Sequence, residues 1–221
     1  MFLQIDDLLT AAELRELNRV AETSRFVDGR ISNPNNKTKN NLQLYDEQAR
    51  LASAGMMHDA LMRSEEFCNF AFPRTIAPPL ISVYRPGMHY GMHSDTAFMA
   101  IDGGTLRADL SCTIFLSPPE SYEGGALFIQ LGTVGVQFKP PAGSAIVYPS
   151  TTLHAVTPVA RGERRVGLTF IQSRIGSAEK REWLYELNEV AALEGLKMRD
   201  ENFQRMQRIR MNLLREWGDP G

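Results

Sequence analysis

Two stretches of this 221-residue chain hold residues able to do chemistry together: His89-Tyr90-Gly91-Met92-His93-Ser94-Asp95, and a later histidine, His154. On a β-strand, side chains two positions apart leave the same face. The imidazole of His93 and the carboxylate of Asp95 can therefore converge on one metal ion. His154 opens the strand-like run Leu153-His154-Ala155-Val156-Thr157 and is the candidate third ligand. Two histidines and one carboxylate can hold one face of an octahedron and leave three adjacent positions free, the facial arrangement of non-haem Fe(II) oxygenases. A lone His-x-Asp is a weak signal, because near a turn both residue types more often bond to backbone or water. Its weight comes from what accompanies it. Of the four histidines, His58 falls in a helical stretch and is read as a core or surface residue rather than a ligand.

A site of this kind needs a rigid frame. At 221 residues, with 43% hydrophobic and 23% charged residues and a net charge of −2, the chain has an ordinary globular composition and enough length for one main domain with a well-buried core. Bulk charge gives no reason to expect a nucleic acid or a membrane surface as partner. The apolar runs are too short to span a bilayer, and Met1 to Asp7 has neither the basic start nor the apolar stretch of a signal peptide, so a cytoplasmic location is expected. Cys68 and Cys112 have no CxxC spacing, and both are expected to be buried thiols.

Along the chain, Thr10-Ala11-Ala12-Glu13 fits a capping box, and Leu14, Leu17, Val20 and Ala21 recur on one face of a helix from about Ala11 to Thr23. Residues 28–41 form a long polar connection, read either as an active-site lid or as a surface loop. A second helix is expected from about Asp46 to Ser64. Past Pro73 the texture becomes short strands: Leu80 to Tyr84, Met88 to Asp95, Leu110 to Leu116, Ala126 to Leu131, Val134 to Phe138, Ala145 to Tyr148, Leu153 to Val159 and Arg164 to Gln172. Pro118-Pro119, Gly124-Gly125 and Pro140-Pro141-Ala142-Gly143 punctuate them. The expected fold is mainly β with flanking helices, built on a jelly-roll core. The expected division is a domain over residues 1–176, with N-terminal helices within 10–65 and the jelly roll over 78–173, followed by a C-terminal helical extension over 177–221. In that extension Phe203, Met206, Ile209, Leu213 and Trp217 form an apolar stripe, from which a homo-oligomer is expected.

Several motifs resemble one family closely. Tyr84-Arg85-Pro86-Gly87, His93-Ser94-Asp95, Arg107-Ala108-Asp109-Leu110-Ser111, Tyr122-Glu123-Gly124-Gly125, Tyr148-Pro149-Ser150, Leu153-His154, Val156-Thr157-Pro158-Val159 and Arg161-Gly162-Glu163-Arg164 look like the bacterial PKHD-type hydroxylases. These are relatives of the prolyl 4-hydroxylases among the Fe(II)- and 2-oxoglutarate-dependent dioxygenases. The resemblance runs from Lys39-Asn40-Asn41-Leu42-Gln43 to Leu213-Leu214-Arg215-Glu216-Trp217. It implies a double-stranded β-helix, Fe(II) held by His93, Asp95 and His154, and 2-oxoglutarate held by a basic residue ten positions after the distal histidine, Arg164. Tyr84 is placed by the same resemblance as a hydroxyl aimed at the cosubstrate, with a buried core tyrosine as the alternative.

Arg165 stands where the family usually has an apolar residue. On one strand Arg164 and Val166 share a face and Arg165 and Gly167 share the other, so only one arginine can enter the barrel. A guanidinium is suited to the far carboxylate of a 2-oxo acid because its fork is bidentate and stays charged when desolvated. The implied reaction converts 2-oxoglutarate and O2 to succinate and CO2 while a C–H bond of a prime substrate is hydroxylated, with L-ascorbate as reductant. The prime substrate stays open between a protein prolyl or lysyl residue and a small molecule linked to iron acquisition. Two other readings use the same ligands: a zinc hydrolase, which would have no use for a buried arginine, and a non-catalytic metal- or sugar-binding jelly roll.

Overall fold

The computed structural model describes residues 1–32 and 37–219. The chain opens with β1 (Leu3–Ile5) and α1 (Ala11–Thr23). The capping box is present: the Glu13 amide donates to the Thr10 hydroxyl at 3.3 Å, and the Thr10 amide donates to the Glu13 carboxylate at 2.8 Å. Next come β2 (Phe26–Asp28), β3 (Lys39–Asn40) and β4 (Leu42–Leu44), then α2 (Glu47–Arg63) and α3 (Glu65–Ala71). The helix α3 is an addition to the sequence reading. Ser64 ends α2 and at once caps α3, its hydroxyl accepting from the Phe67 amide at 3.2 Å.

The β region follows as β5 (Pro73–Ile76), β6 (Leu80–Tyr84), β7 (His89–His93), β8 (Phe98–Ile101), β9 (Gly104–Arg107), β10 (Leu110–Phe115), β11 (Tyr122–Gly124), β12 (Leu127–Leu131), β13 (Val134–Phe138), β14 (Ala145–Pro149), β15 (His154–Val156), β16 (Val159–Gly162) and β17 (Arg164–Ser173). The helices α4 (Ala178–Glu194) and α5 (Asp200–Trp217) close the chain.

Two antiparallel sheets make the jelly roll. The larger runs β1-β14-β10-β17-β6-β4-β2 with β5 beside β17, and the smaller runs β13-β12-β15-β7-β3. Alternation along each strand divides their faces. Tyr84, Phe115, Ile146, Tyr148 and Val166 of the larger sheet meet Leu127, Ile129 and Val156 of the smaller one inside the barrel. On the outer face of the larger sheet, Ile81, Leu110, Ile114 and Ile171 pack against Leu17, Met57, Leu61 and Phe67 of the N-terminal helices. Each such side chain contributes roughly 1.5–3 kcal/mol when fully buried. The N-terminal helices thus hold one wall of the barrel rigid.

The polar stretch 28–41 is more ordered at its ends than a loop reading allows. Gly29–Ser32 form a 3-10 turn, and Lys39–Asn40 add a strand to the edge of β7, with Lys39 opposite Tyr90. Residues 33–36, the middle of the stretch that was read as a lid or a surface loop, lie outside the described residues. Cys112 is buried, but Cys68 is only half-buried, because α3 turns it toward the Met62 carbonyl at the edge of the helical layer. His58 is exposed on α2. The C-terminal helices pack on each other through Trp183 and Trp217, with ring centroids 5.9 Å apart, and the Asp219 amide returns to the Arg174 carbonyl at 2.8 Å.

Candidate active site

β7 and β15 are neighbours in the smaller sheet, with His93 opposite His154. That register brings two histidines far apart in sequence to a ring-centroid separation of 4.2 Å. Asp95 arrives by a different route from the strand alternation expected of it. β7 ends at His93, and Asp95 sits beyond the strand, held by its amide donating to the Ser150 carbonyl at 3.2 Å and by the Ser111 hydroxyl donating to its Oδ2 at 2.5 Å. Ser111 and Ser150 also share a 2.8 Å hydrogen bond. Even so, atoms of His93, Asp95 and His154 able to hold a metal ion lie within 4.8 Å of one another.

The hydrogen bonds of the two imidazoles show which nitrogens face the site. His93 Nδ1 lies 2.7 Å from the Gly91 carbonyl and His154 Nδ1 3.0 Å from the Thr152 carbonyl. A carbonyl can only accept, so each Nδ1 carries a proton, and in the neutral imidazole it is then Nε2 that has the lone pair for a metal. Those Nε2 atoms lie 3.8 Å and 3.6 Å from the two oxygens of Asp95. Burial, reinforced by the neighbouring His154, holds the His93 imidazole below its usual range, which favours the neutral form a metal requires. Tyr90 stacks on His93 at 3.6 Å and Tyr148 meets His154 edge-on at 5.0 Å, fixing both rings.

The two arginines have separate surroundings. Arg164 pairs with Tyr84 across β17 and β6 and is 1% exposed. Its guanidinium lies 5.0 Å from the Tyr84 ring centroid and 5.5 Å from that of Phe115. Gly125, at φ +63°, lets the chain pass over the arginine stem: a Cβ there would lie 3.1 Å from Arg164 Cδ. Nε, Nη1 and Nη2 of Arg164 have no hydrogen-bond partner among the described residues, and the buried Tyr122 hydroxyl stands beside them without hydrogen-bond geometry. Burial works against the guanidinium charge. Arg165, on the opposite face, bonds to Glu163 at 2.8 Å, Glu22 at 2.8 Å and Asn18 at 3.2 Å, and so ties β17 to α1.

A cavity of about 260 Å³ joins these parts; His93, Asp95, His154, Tyr84 and Arg164 all line it. An unpartnered buried guanidinium is costly, and it marks where an anion fits. Two lone-pair nitrogens and a carboxylate fit Fe(II), and the arginine fits the far carboxylate of 2-oxoglutarate. Ser32, Lys39, Asn41, Ser111 and Tyr148 also line the cavity and had no role in the sequence reading. The alternation Lys39, Asn41, Gln43 was the available signal, hidden by reading the polar stretch as a loop.

A jelly roll in which two histidines and an aspartate converge is an arrangement found in Fe(II)-dependent oxygenases, and the model of the 2OG-Fe(II) oxygenase superfamily matches residues 79–172. The chain is 51% identical over 210 residues to a PKHD-type hydroxylase of Sphingopyxis alaskensis, covering 95% of this chain and 96% of that one. It is 40% identical over 224 residues to a PKHD-type hydroxylase of Thermosynechococcus vestitus, covering 99% and 100%. The chain belongs to the PKHD-type hydroxylases. Its fold is also similar to a Pseudomonas putida prolyl-4-hydroxylase, with a TM-score of 0.55 at 22% identity, over 78% of this chain and 92% of that one. The protein is therefore a 2-oxoglutarate-dependent dioxygenase that hydroxylates a substrate with release of succinate and CO2. Neither the hydrolase nor the binding-module reading has support from these relatives. No helix among the described residues is long and apolar enough to cross a membrane.

Proposed function

We propose that His93, Asp95 and His154 hold the ferrous ion and that Arg164, with Tyr84 beside it, anchors the far carboxylate of 2-oxoglutarate. The observation that carries this is the coexistence, in one cavity, of three converging ligand atoms and a fully buried guanidinium with no partner among the described residues. When bound, the metal would activate O2, which supplies the oxidising power for hydroxylation of the C–H bond, with the 2-oxo acid as the two-electron co-reductant.

The residues of the chain do the rest. Nδ1–H bonds to Gly91 and Thr152 carbonyls keep both imidazoles in one tautomer and orientation. The Ser111 hydroxyl keeps one Asp95 oxygen from turning away. Tyr84 and Phe115 exclude water from the guanidinium, so its pairing with a carboxylate is stronger than in solvent. Burial also pushes the Tyr84 phenol up, so it is a neutral donor able to share the same carboxylate.

Ascorbate serves as the external reductant in this reading, as the resemblance implies. The cytoplasm is proposed because Cys68 and Cys112 are unpaired thiols, at home in a reducing compartment. Residues 177–221 are proposed as a helical extension whose apolar surface pairs with a second copy of the chain. The decisive experiment for the site is anaerobic titration of the protein with Fe(II) and then 2-oxoglutarate, followed by visible absorption. A weak charge-transfer band that requires both additions is expected, and its absence would sink the assignment.

A further inference from the structure

The oxygenase activity leaves Lys39 unexplained. β3 and β4 form one nearly continuous extended run, in which Lys39, Asn41 and Gln43 share a face. All three polar side chains line the cavity or its rim and are buried, at 8%, 2% and 7% exposure, whereas Asn40 between them is exposed. The Lys39 ammonium lies 5.7 Å from the Tyr90 ring centroid, and Tyr90 in turn stacks on His93. The lysine therefore stands beside the proposed metal site, on the wall built by β3 and β7, while Arg164 projects from the larger sheet.

Among the described residues, no carboxylate forms a direct ion pair with the Lys39 ammonium. Its side-chain hydrogen bond among the described residues is to Ser32 Oγ at 2.7 Å. That hydroxyl also accepts from Gln43 Nε2 at 3.0 Å and donates to the Gly29 carbonyl at 3.1 Å, so it has nothing further to offer. Asp28 is paired with Arg30, and Asp95 faces the histidines; both act on Lys39 only through space. The Asn41 amide, on the same face, makes no hydrogen bond of good geometry among the described residues, although the Tyr84 hydroxyl stands beside it. A cation held out of water without an anion costs stability, and such violations cluster at functional sites.

The cosubstrate cannot supply the missing anion if the assignment above holds, since one carboxylate of 2-oxoglutarate would lie at the metal and the other at Arg164. We propose that Lys39, flanked by Asn41 and Gln43, receives a carboxylate of the prime substrate, so that the molecule hydroxylated is a small carboxylic acid whose reacting C–H bond lies near its acid group. A prolyl or lysyl residue inside a protein chain is bordered by neutral amides, so its own backbone would leave the lysine unanswered. The cavity volume of about 260 Å³, shared with 2-oxoglutarate, suits a small molecule as well.

The proposal rests on the metal and cosubstrate assignment, and its test separates the two. Protein loaded with Zn(II) and 2-oxoglutarate, which does not turn over, is titrated with small acids and their matched primary amides: benzoate with benzamide, phenylacetate with phenylacetamide, and N-acetylproline with N-acetylprolinamide. Binding is followed by ligand-observed NMR. The acids should bind at least about tenfold more tightly than the amides, Lys39→Met should abolish that preference, and Lys39→Arg should keep it. Calorimetry should show 2-oxoglutarate affinity unchanged in both variants. The melting temperature of Lys39→Met should be equal to or above that of the wild type, because removing an unanswered cation relieves a cost; a purely structural lysine would lower it. Amides binding as well as acids, no acid binding to the wild type, or a preference that survives Lys39→Met would overturn the proposal. A loss of 2-oxoglutarate affinity in Lys39→Met would reassign the lysine to the cosubstrate and overturn it too. Failure of the wild type to take up Zn(II) and 2-oxoglutarate would instead overturn the assignment beneath it, and the proposal with it.

Discussion

Arg164 and Arg165 differ by one position and by nearly everything a guanidinium can experience. If Arg164 anchors 2-oxoglutarate as proposed, removing its fork would leave a desolvated carboxylate unpaired, an effect of roughly 2–5 kcal/mol. Arg164→Ala should therefore raise the 2-oxoglutarate concentration needed for half-maximal succinate formation by more than about tenfold, with iron content unchanged. Arg164→Lys should fall between, keeping charge but losing bidentate geometry. Arg165→Ala breaks bonds to Glu163, Glu22 and Asn18, so it should cost thermal stability and leave the cosubstrate dependence nearly untouched. The opposite pattern would shift the proposed assignments along β17 by one residue. A second prediction concerns Ser111, which bonds Asp95 Oδ2. Ser111→Ala should weaken Fe(II) binding by roughly 10–100-fold, the usual effect of losing a group that orients a ligand, as read by competition with a chelator at unchanged circular dichroism. The sequence made the meeting of His93, Asp95 and His154 legible through residue type and spacing, though the strand alternation used for Asp95 fails because β7 stops at His93. Ser111 and Ser150 were not legible as its supports, because their contact depends on how β10 and β14 pair, which no local pattern encodes.

At the scale of elements, one contact seats the helical layer on the barrel and another ties its helices together. Gly167 lets α2 approach β17: a Cβ there would lie 2.2 Å from Met57 Sδ, so the fully buried Met57 side chain would have to shift within the core. Gly167→Ala should cost about 1–3 kcal/mol, the range for overpacking a filled core, seen as a lower denaturation midpoint with an unchanged slope. The other contact clasps α1 to the end of α2, where Arg63 donates two 2.9 Å hydrogen bonds to Glu13. The Arg63 guanidinium is the main reason the Glu13 carboxyl falls to about 2 from 4.5. A carboxyl depressed on folding stabilises the protein above its unfolded value, and that contribution is lost as pH falls from about 4.5 toward 2. Glu13→Gln should therefore flatten the acid limb of the stability curve in that window; an unaltered limb would show the clasp to be inert. The jelly roll itself was largely legible, since β6, β12, β13, β14 and β17 follow apolar runs between strong turn residues. The hairpin of β8 and β9 was not: Phe98–Ile101 and Gly104–Arg107 are too short to show a period, and most of their residues face outward or half outward. Lys39–Asn40 escaped for a related reason, because a polar strand whose buried face serves a cavity looks like a loop.

For the whole molecule, the open question is what the C-terminal helices cover. They are tied to the rest of the chain by Arg181 donating to the Ile175 carbonyl at 2.8 Å and by Asp219 meeting Arg74 and the Arg174 carbonyl. Yet Trp183, Val190, Leu193, Leu196 and Ile209 remain 49%, 43%, 68%, 103% and 52% exposed. Covering a side chain of this kind fully is worth roughly 1.5–3 kcal/mol, and only the part still exposed can be gained. Association costs roughly 4–15 kcal/mol in lost freedom, so several of these residues must be covered at once for a second copy to bind. Little is left over after that cost, which makes a weak dimer the expected outcome. Light scattering over a wide concentration range should show the mass rise from that of the 24.8 kDa chain toward twice that value. Leu193→Glu and Ile209→Glu should each hold the protein monomeric, because a carboxylate cannot be buried unpaired at an interface, while 2-oxoglutarate binding stays as in the wild type. A constant monomer mass at every concentration would remove the second copy from the picture and leave the exposed residues as an unpaired face of the helical hairpin.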